Sequence, residues 1–177
     1  MKTLMHACCA PCSIQCVESL RAEAIEPVLF WYNPNIHPFT EYQSRKEALL
    51  EFAHKSDLEL VLQDTYGLRS FIAQVYPDFD ERCGYCYCMR LKEAAKYAAE
   101  HGFDSFTTTL LISPYQKHDL IGEIAKEMAE QYHVAFLYRD FRPLFREGQK
   151  AAREMGLYMQ KYCGCVFSEE ERYQKRK

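Results

Sequence analysis

Nine cysteines in 177 residues fall into three knots. Cys8, Cys9, Cys12 and Cys16 crowd the start, Cys83, Cys86 and Cys88 sit mid-chain, and Cys163 and Cys165 lie near the end. A lone buried cysteine is ordinarily a small hydrophobe, but grouped thiols hold metals or exchange electrons. Cys8-Cys9-Ala10-Pro11-Cys12 stands where a strand hands over to a helix, and free N–H groups with the helix dipole favour thiolates there. Cys83-Gly84-Tyr85-Cys86 is a C-x-x-C, a spacing that alone is ambiguous between zinc, an iron–sulfur cluster and dithiol exchange, although the context of a thioredoxin-like motif is missing. Cys8 and Cys9 with Cys83 and Cys86 supply four thiolates, enough for tetrahedral zinc or a [4Fe–4S] cluster. Cys163-Gly164-Cys165 can close into a strained, easily reduced disulfide or chelate a metal. A structural zinc site has no use for this third knot, whereas a redox relay or a second metal does. Cys12 is open as a further ligand, in a second site with Cys163 and Cys165. Cys16, one helical turn beyond it, reads as core, and Cys88 has no assignment.

These thiols need a setting that keeps them reduced. Met1-Lys2-Thr3-Leu4-Met5 runs into the first knot with no apolar h-region, so export is not expected and the chain reads as cytoplasmic. No apolar run approaches the roughly 18 residues of a membrane span. Apolar residues at 48% and aromatics at 14% suffice for the core of one domain over residues 1–177. The net charge of −3 argues against a generic nucleic-acid coat, but the charge is segregated. Residues 1–138 carry a net of −7 and residues 139–177 a net of +4. An anionic partner would meet the C-terminal quarter.

The elements that position the knots alternate. Strands are expected at 2–8, 27–32, 58–63, 106–112 and 134–138. Helices are expected at 11–24, 39–56, 67–75, 84–101, 117–132 and 143–159. Pro27-Val28-Leu29-Phe30-Trp31-Tyr32 is apolar throughout, as in a strand covered on both faces. The pattern predicts an α/β fold, a doubly wound Rossmann-like sheet of about five parallel strands flanked by helices. Ligands of such sheets sit beyond the strand carboxyl ends, where the first knot lies.

The last expected helix carries Arg142, Arg146, Lys150 and Arg153. At about 100° per residue they share an arc of about 80°, opposite Phe145, Ala152, Met155 and Met159. Such a stripe suits phosphate contacts, and Arg172, Lys175, Arg176 and Lys177 add a basic tail. Its bland counterpart is a solvated face laced with Glu147 and Glu154.

Several segments in fixed order carry a resemblance: His6-Ala7-Cys8-Cys9-Ala10-Pro11-Cys12-Ser13, Tyr32-Asn33-Pro34-Asn35-Ile36-His37-Pro38 and Glu41-Tyr42 with Arg45. They continue with Arg82-Cys83-Gly84-Tyr85-Cys86-Tyr87, Arg90-Leu91, Thr107 to Gln116, and Tyr162-Cys163-Gly164-Cys165-Val166-Phe167-Ser168. Together they resemble the cobalamin-independent epoxyqueuosine reductase family, QueH, over nearly the whole chain. Cys16 and Cys88 fall outside the family pattern. The resemblance implies a fold similar to the adenine-nucleotide α-hydrolases, with the phosphate-binding loop replaced by Cys-Cys-Ala-Pro-Cys-Ser. It also implies two-electron reduction of the epoxide of epoxyqueuosine in tRNA, giving queuosine and water.

Removing an epoxide oxygen needs two electrons, protons and stabilisation of a developing alkoxide. A [4Fe–4S] cluster at Cys8, Cys9, Cys83 and Cys86 passes one electron at a time. Cys163 and Cys165 are therefore expected to supply a second element, as a dithiol pair or by holding an additional iron ion. His6, His37 and Tyr115 are the candidates for proton delivery, although His6 on a strand and His37 in a turn also suit purely structural work. Tyr32, Tyr42 and Tyr115 are the motif-borne aromatics for stacking a base. A ferredoxin or flavodoxin is the expected electron donor. Two other classes compete: a zinc-stabilised RNA-binding module without catalysis, which leaves Cys163 and Cys165 idle, and an ATP-using enzyme of the same fold, which needs a Ser-Gly-Gly-x-Asp-Ser loop the chain lacks.

Overall fold

The computed structural model describes residues 1–174; Lys175, Arg176 and Lys177 of the expected basic tail lie outside the described residues. Five parallel strands form one sheet in the order β3-β2-β1-β4-β5. They are β1 (Thr3–His6), β2 (Pro27–Trp31), β3 (Leu60–Leu62), β4 (Ser105–Thr108) and β5 (Ala135–Phe136). The central strand β1 pairs with β2 from Thr3↔Pro27 to His6↔Phe30, and with β4 from Thr3↔Ser105 to His6↔Thr108. Every residue of β1, β2 and β4 is buried, as in strands covered on both faces; all are apolar or small except His6, whose ring nitrogens find partners in Thr108 and Asn33.

The described residues form seven α-helices: α1 (Ala10–Ala22), α2 (Phe39–Lys55), α3 (Leu68–Val75), α4 (Arg82–Glu100), α5 (His118–Tyr132), α6 (Phe145–Glu154) and α7 (Val166–Tyr173). α1 packs on α2 and α6, while α4 packs on α3 and α5. The chain leaves β1 toward β2 and β3, then returns past β1 to β4 and β5. The carboxyl ends of β1 and β4 therefore flank the point where the winding reverses, the crevice in which such sheets bind ligands. No helix among the described residues is long and apolar enough to cross a membrane.

Three expectations need correction. The strand expected at 106–112 stops at Thr108, and Thr109–Ile112 form a 3-10 turn. The Thr108 hydroxyl accepts the Leu110 N–H at 3.2 Å, and this local bond competes with the ladder. The helix expected at 143–159 is shorter at both ends. Arg142–Leu144 form a separate turn, and Gly156, at φ +70°, takes the left-handed conformation that closes a helix. α7 has no counterpart among the expected helices. It is eight residues long with no buried side chain, so it leaves little hydrophobic periodicity to read.

Candidate metal centre and active site

The first knot is built by the β1-to-α1 junction. Cys9 is the extended residue before α1, and Pro11 sits in the first turn, where a missing N–H costs nothing. This turn gathers Cys8, Cys9 and Cys12 so that their sulfurs all lie within 4.8 Å of one another, a group that can hold a metal ion. Thr109, from the turn after β4, clamps Cys8 twice: it accepts the Cys8 N–H at 3.2 Å and donates to the sulfur at 3.4 Å. Hydrogen bonds from Cys12, Cys9 and Thr109 hold the Cys8 pKa well below its ordinary value, against the effect of burial. Burial pushes the Cys9 thiol up, and the hydrogen bond given to Cys8 does the same for Cys12. The Gln160 amide donates to Cys9 Sγ at 2.8 Å. Cys16 is fully buried among core side chains of α1, as expected.

The second knot opens α4. Cys83 is half-buried at its first turn; Cys86, one turn on, is buried beside Cys165, Phe71 and Val75. Burial pushes Cys86 up to about 12. Arg90, one turn beyond, donates from Nε to the Cys86 carbonyl at 3.0 Å and from Nη2 to the Cys86 sulfur at 3.1 Å. Arg90 is 2% exposed, and among the described residues no carboxylate pairs with it. Burial opposes its charge, but the sulfurs of Cys86, Cys8 and Cys163 together raise its pKa. One buried cation thus feels a cysteine from each of the three knots. A buried charge without a counterion is costly, and a thiolate-ligated metal group is an anion. The donor set and this cation fit such a group.

The third knot hangs on α2. The Arg45 guanidinium, 2% exposed, bonds Glu41 Oε1 at 2.7 Å, the Cys163 carbonyl at 2.7 Å and the Tyr162 carbonyl at 2.9 Å. The Gly164 carbonyl accepts the His37 N–H at 2.8 Å, and the Tyr162 hydroxyl donates to the His37 carbonyl. So held, Cys165 is buried and Cys163 is exposed, with both thiols free. Gln116 donates its amide N–H to Cys163 Sγ at 3.1 Å, and its amide oxygen accepts from the Tyr87 hydroxyl at 2.6 Å. Although Cys163 is exposed at the surface, the protein packed around its sulfur displaces enough water to push the thiol up, partly offset by Arg90 and Gln116.

Cys8, Cys12 and Cys163 line one cavity of about 720 Å³ at the carboxyl ends of β1 and β4. Of the candidates for proton delivery, His6 and His37 are fully buried and do not line it. His6 spends Nδ1 on Thr108 at 3.0 Å and Nε2 on Asn33 at 3.1 Å; His37 spends Nε2 on the Pro34 carbonyl at 3.0 Å and Nδ1 on the Val166 N–H at 3.4 Å. Burial lowers both histidines to about 4. Tyr115 does line the cavity and is 86% exposed. The basic residues divide. Arg153 lines the cavity, Arg142 is engaged by Asp140 at 2.6 Å, Lys150 stands 3.8 Å from Glu154, and Arg146 is exposed. Sequence reasoning assigned no role to Arg45, Arg90, Gln116 or Gln160. Glu41/Arg45 and Cys86/Arg90 at i, i+4 were the available signals.

The profile of a family described as "Epoxyqueuosine reductase QueH" matches residues 3–171. The chain belongs to the epoxyqueuosine reductase QueH family. A relative of that name from Dehalococcoides mccartyi is 38% identical, across 98% of this chain and 96% of its own length. One from Thermotoga maritima is 37% identical, across 97% and 92%, and one from Haemophilus influenzae 36%, across 94% and 71%. Among solved structures, a predicted subunit of tRNA methyltransferase from Methanocaldococcus jannaschii superposes with a TM-score of 0.54. It covers 99% of this chain and 94% of its own at 13% identity, a likeness of fold alone.

Proposed function

We propose that this chain is a cytoplasmic, single-domain epoxyqueuosine reductase acting on tRNA. The observation that carries the proposal is the shared cavity: Cys8 and Cys12 of the first knot face the same space as Cys163 of the third. In the reaction, two electrons and two protons convert the epoxide to a carbon–carbon double bond and one water. The electrons come from a small donor of the ferredoxin or flavodoxin class.

Cys8, Cys9, Cys83 and Cys86 are proposed to hold a [4Fe–4S] cluster, with Cys12, Cys163 and Cys165 available for an additional iron ion. When bound, these groups supply electrons one at a time and a Lewis acid for the departing oxygen. The chain's own residues do the rest. Arg45 fixes the backbone that carries Cys163, and Gln116 orients its sulfur toward the cavity. Arg90 offsets the negative charge that thiolates bring into the interior. His6 and His37, with their ring nitrogens engaged, hold the β1 end and the 162–166 segment in place.

The test is anaerobic turnover. Protein loaded with iron and sulfide is given a chemical reductant and tRNA from cells that accumulate epoxyqueuosine, and nucleosides are read by mass spectrometry. Queuosine appearing at the expense of epoxyqueuosine supports the proposal. Zinc without sulfide in protein from iron-replete, oxygen-free preparations, with no product, overturns it in favour of a zinc-stabilised RNA-binding module.

A further inference from the structure

Tyr115 is the most exposed large hydrophobic side chain among the described residues, at 86%. Its backbone is nonetheless anchored. The Tyr115 N–H donates to Ser113 Oγ at 3.3 Å, the Lys117 N–H to the Tyr87 hydroxyl at 3.2 Å, and Gln116 bridges Tyr87 to the Cys163 sulfur. An aromatic ring held in water on a fixed segment has surface to offer at little entropic cost. The ring meets Phe145 edge to face, at 5.9 Å and 82°, and at this exposure a face of Tyr115 stays open. Arg153, Lys161 and Arg172 line the same cavity, and its one carboxylate, Glu171, is already paired with Arg82 at 2.5 Å. The mouth therefore joins an open aromatic face to surplus positive charge. Unpaired RNA is recognised by that combination, bases stacking on rings while cations take the phosphates. The other motif aromatics are unsuited. Tyr42 is buried with its hydroxyl bonded to Asp64 at 2.6 Å, and Tyr32 is half-buried away from the cavity.

We propose that Tyr115, braced by Phe145, is a stacking platform for an unpaired nucleobase beside the substrate nucleoside, with Arg153, Lys161 and Arg172 on the adjoining phosphates. This rests on the epoxyqueuosine reductase reading and gives Tyr115 a positioning role in place of proton delivery. Because the next residue holds the Cys163 sulfur, a base parked on Tyr115 brings its neighbour to the mouth of the sulfur-lined cavity.

The experiment uses metal-loaded protein under anaerobic conditions and an RNA hairpin whose unpaired loop carries a fluorescent adenine analogue beside the position of the substrate nucleoside. Wild-type protein should bind and quench the analogue. Tyr115→Ala should weaken binding roughly 5- to 100-fold and abolish the quenching, with the salt slope unchanged. Tyr115→Phe and Tyr115→Trp should retain both, and turnover should show the loss in KM rather than kcat. Arg153→Gln should instead lower the salt slope by about one. If wild-type protein turns over epoxyqueuosine in tRNA and Tyr115→Ala matches it in binding, quenching and KM, the platform is wrong and the function stands. If wild-type protein leaves epoxyqueuosine in tRNA untouched, the function is wrong and the platform falls with it.

Discussion

Arg45 donates from Nη1 to the Cys163 carbonyl at 2.7 Å, tying the middle of α2 to a loop 118 residues away in sequence. The same guanidinium bonds the Tyr162 carbonyl and the buried Glu41 carboxylate, so one side chain satisfies three acceptors. Arg45→Met would leave two carbonyls and one oxygen of that carboxylate without the Arg45 donor, while the Tyr158 hydroxyl still bonds the other oxygen. The expected cost is about 3–5 kcal/mol, read by urea unfolding, with faster hydrogen exchange over residues 162–165. Arg45→Lys should not rescue it, because an ammonium cannot span the planar fork. Adding Glu41→Leu to Arg45→Met should recover part of the loss.

Cys163 and Cys16 separate the thiol proposed to take part in the chemistry from the packing thiol. Cys163→Ser is expected to lose turnover by about 100-fold or more while cluster sulfide content stays near wild type, since its sulfur lies on the cavity wall and outside the proposed cluster ligands. Cys16→Ala, at a fully buried position in α1, should cost about 1 kcal/mol of stability and leave metal content and turnover intact. Full turnover by Cys163→Ser with a normal metal complement would remove the third knot from the chemistry.

Arg90 should be felt as a potential. Replacing the buried cation by methionine withdraws a positive charge from beside Cys86 and from the field at Cys8 and Cys163. An added electron is then less stabilised. The midpoint potential of the metal-loaded Arg90→Met protein should fall, by something on the order of 100 mV. A potential equal to that of wild type would mean Arg90 does not face the centre.

His37 makes stability depend on acid. Burial lowers its pKa to about 4, from an unfolded value of 6.5, so the folded state keeps it neutral where the unfolded chain takes a proton. Stability is fully present above about 6.5 and is lost as the pH falls toward about 4, by on the order of 3 kcal/mol from this residue. Urea unfolding across that range should show the decline, and His37→Asn should have a shallower one. Equal slopes would show that His37 titrates normally in the fold.

Charge reversal should rank the basic residues by where they point. Arg153→Glu, at the cavity, is expected to weaken tRNA binding by tenfold or more and to reduce its salt slope. Arg146→Glu with Lys150→Glu should act in the same direction. Arg142→Gln, already bonded to Asp140, should change little. Filter binding at several salt concentrations distinguishes these outcomes.

The sheet and the knots could be read from one dimension because their signals are local. Pro27 to Trp31 shows unbroken apolar character, and Cys8-Cys9-Ala10-Pro11-Cys12 stands at a strand-to-helix junction that neighbouring residues make recognisable. The three-sulfur group Cys8, Cys9 and Cys12 spans five residues, within reach of a single turn of backbone. What pairing in space decided has no such signature. Thr108 ends β4 because its hydroxyl meets both Leu110 N–H and His6, which lies 102 residues away. That Cys163 shares a cavity with Cys8 and Cys12 depends on Arg45, Gln116 and His37 reaching across the fold to hold one loop. Arg90 is unremarkable on a helix until its burial without a carboxylate partner is seen among the described residues. Sequence spacing specifies which groups can meet within a turn; long-range hydrogen bonds and burial decide which of them share a site, because those energies depend on where the chain returns in space.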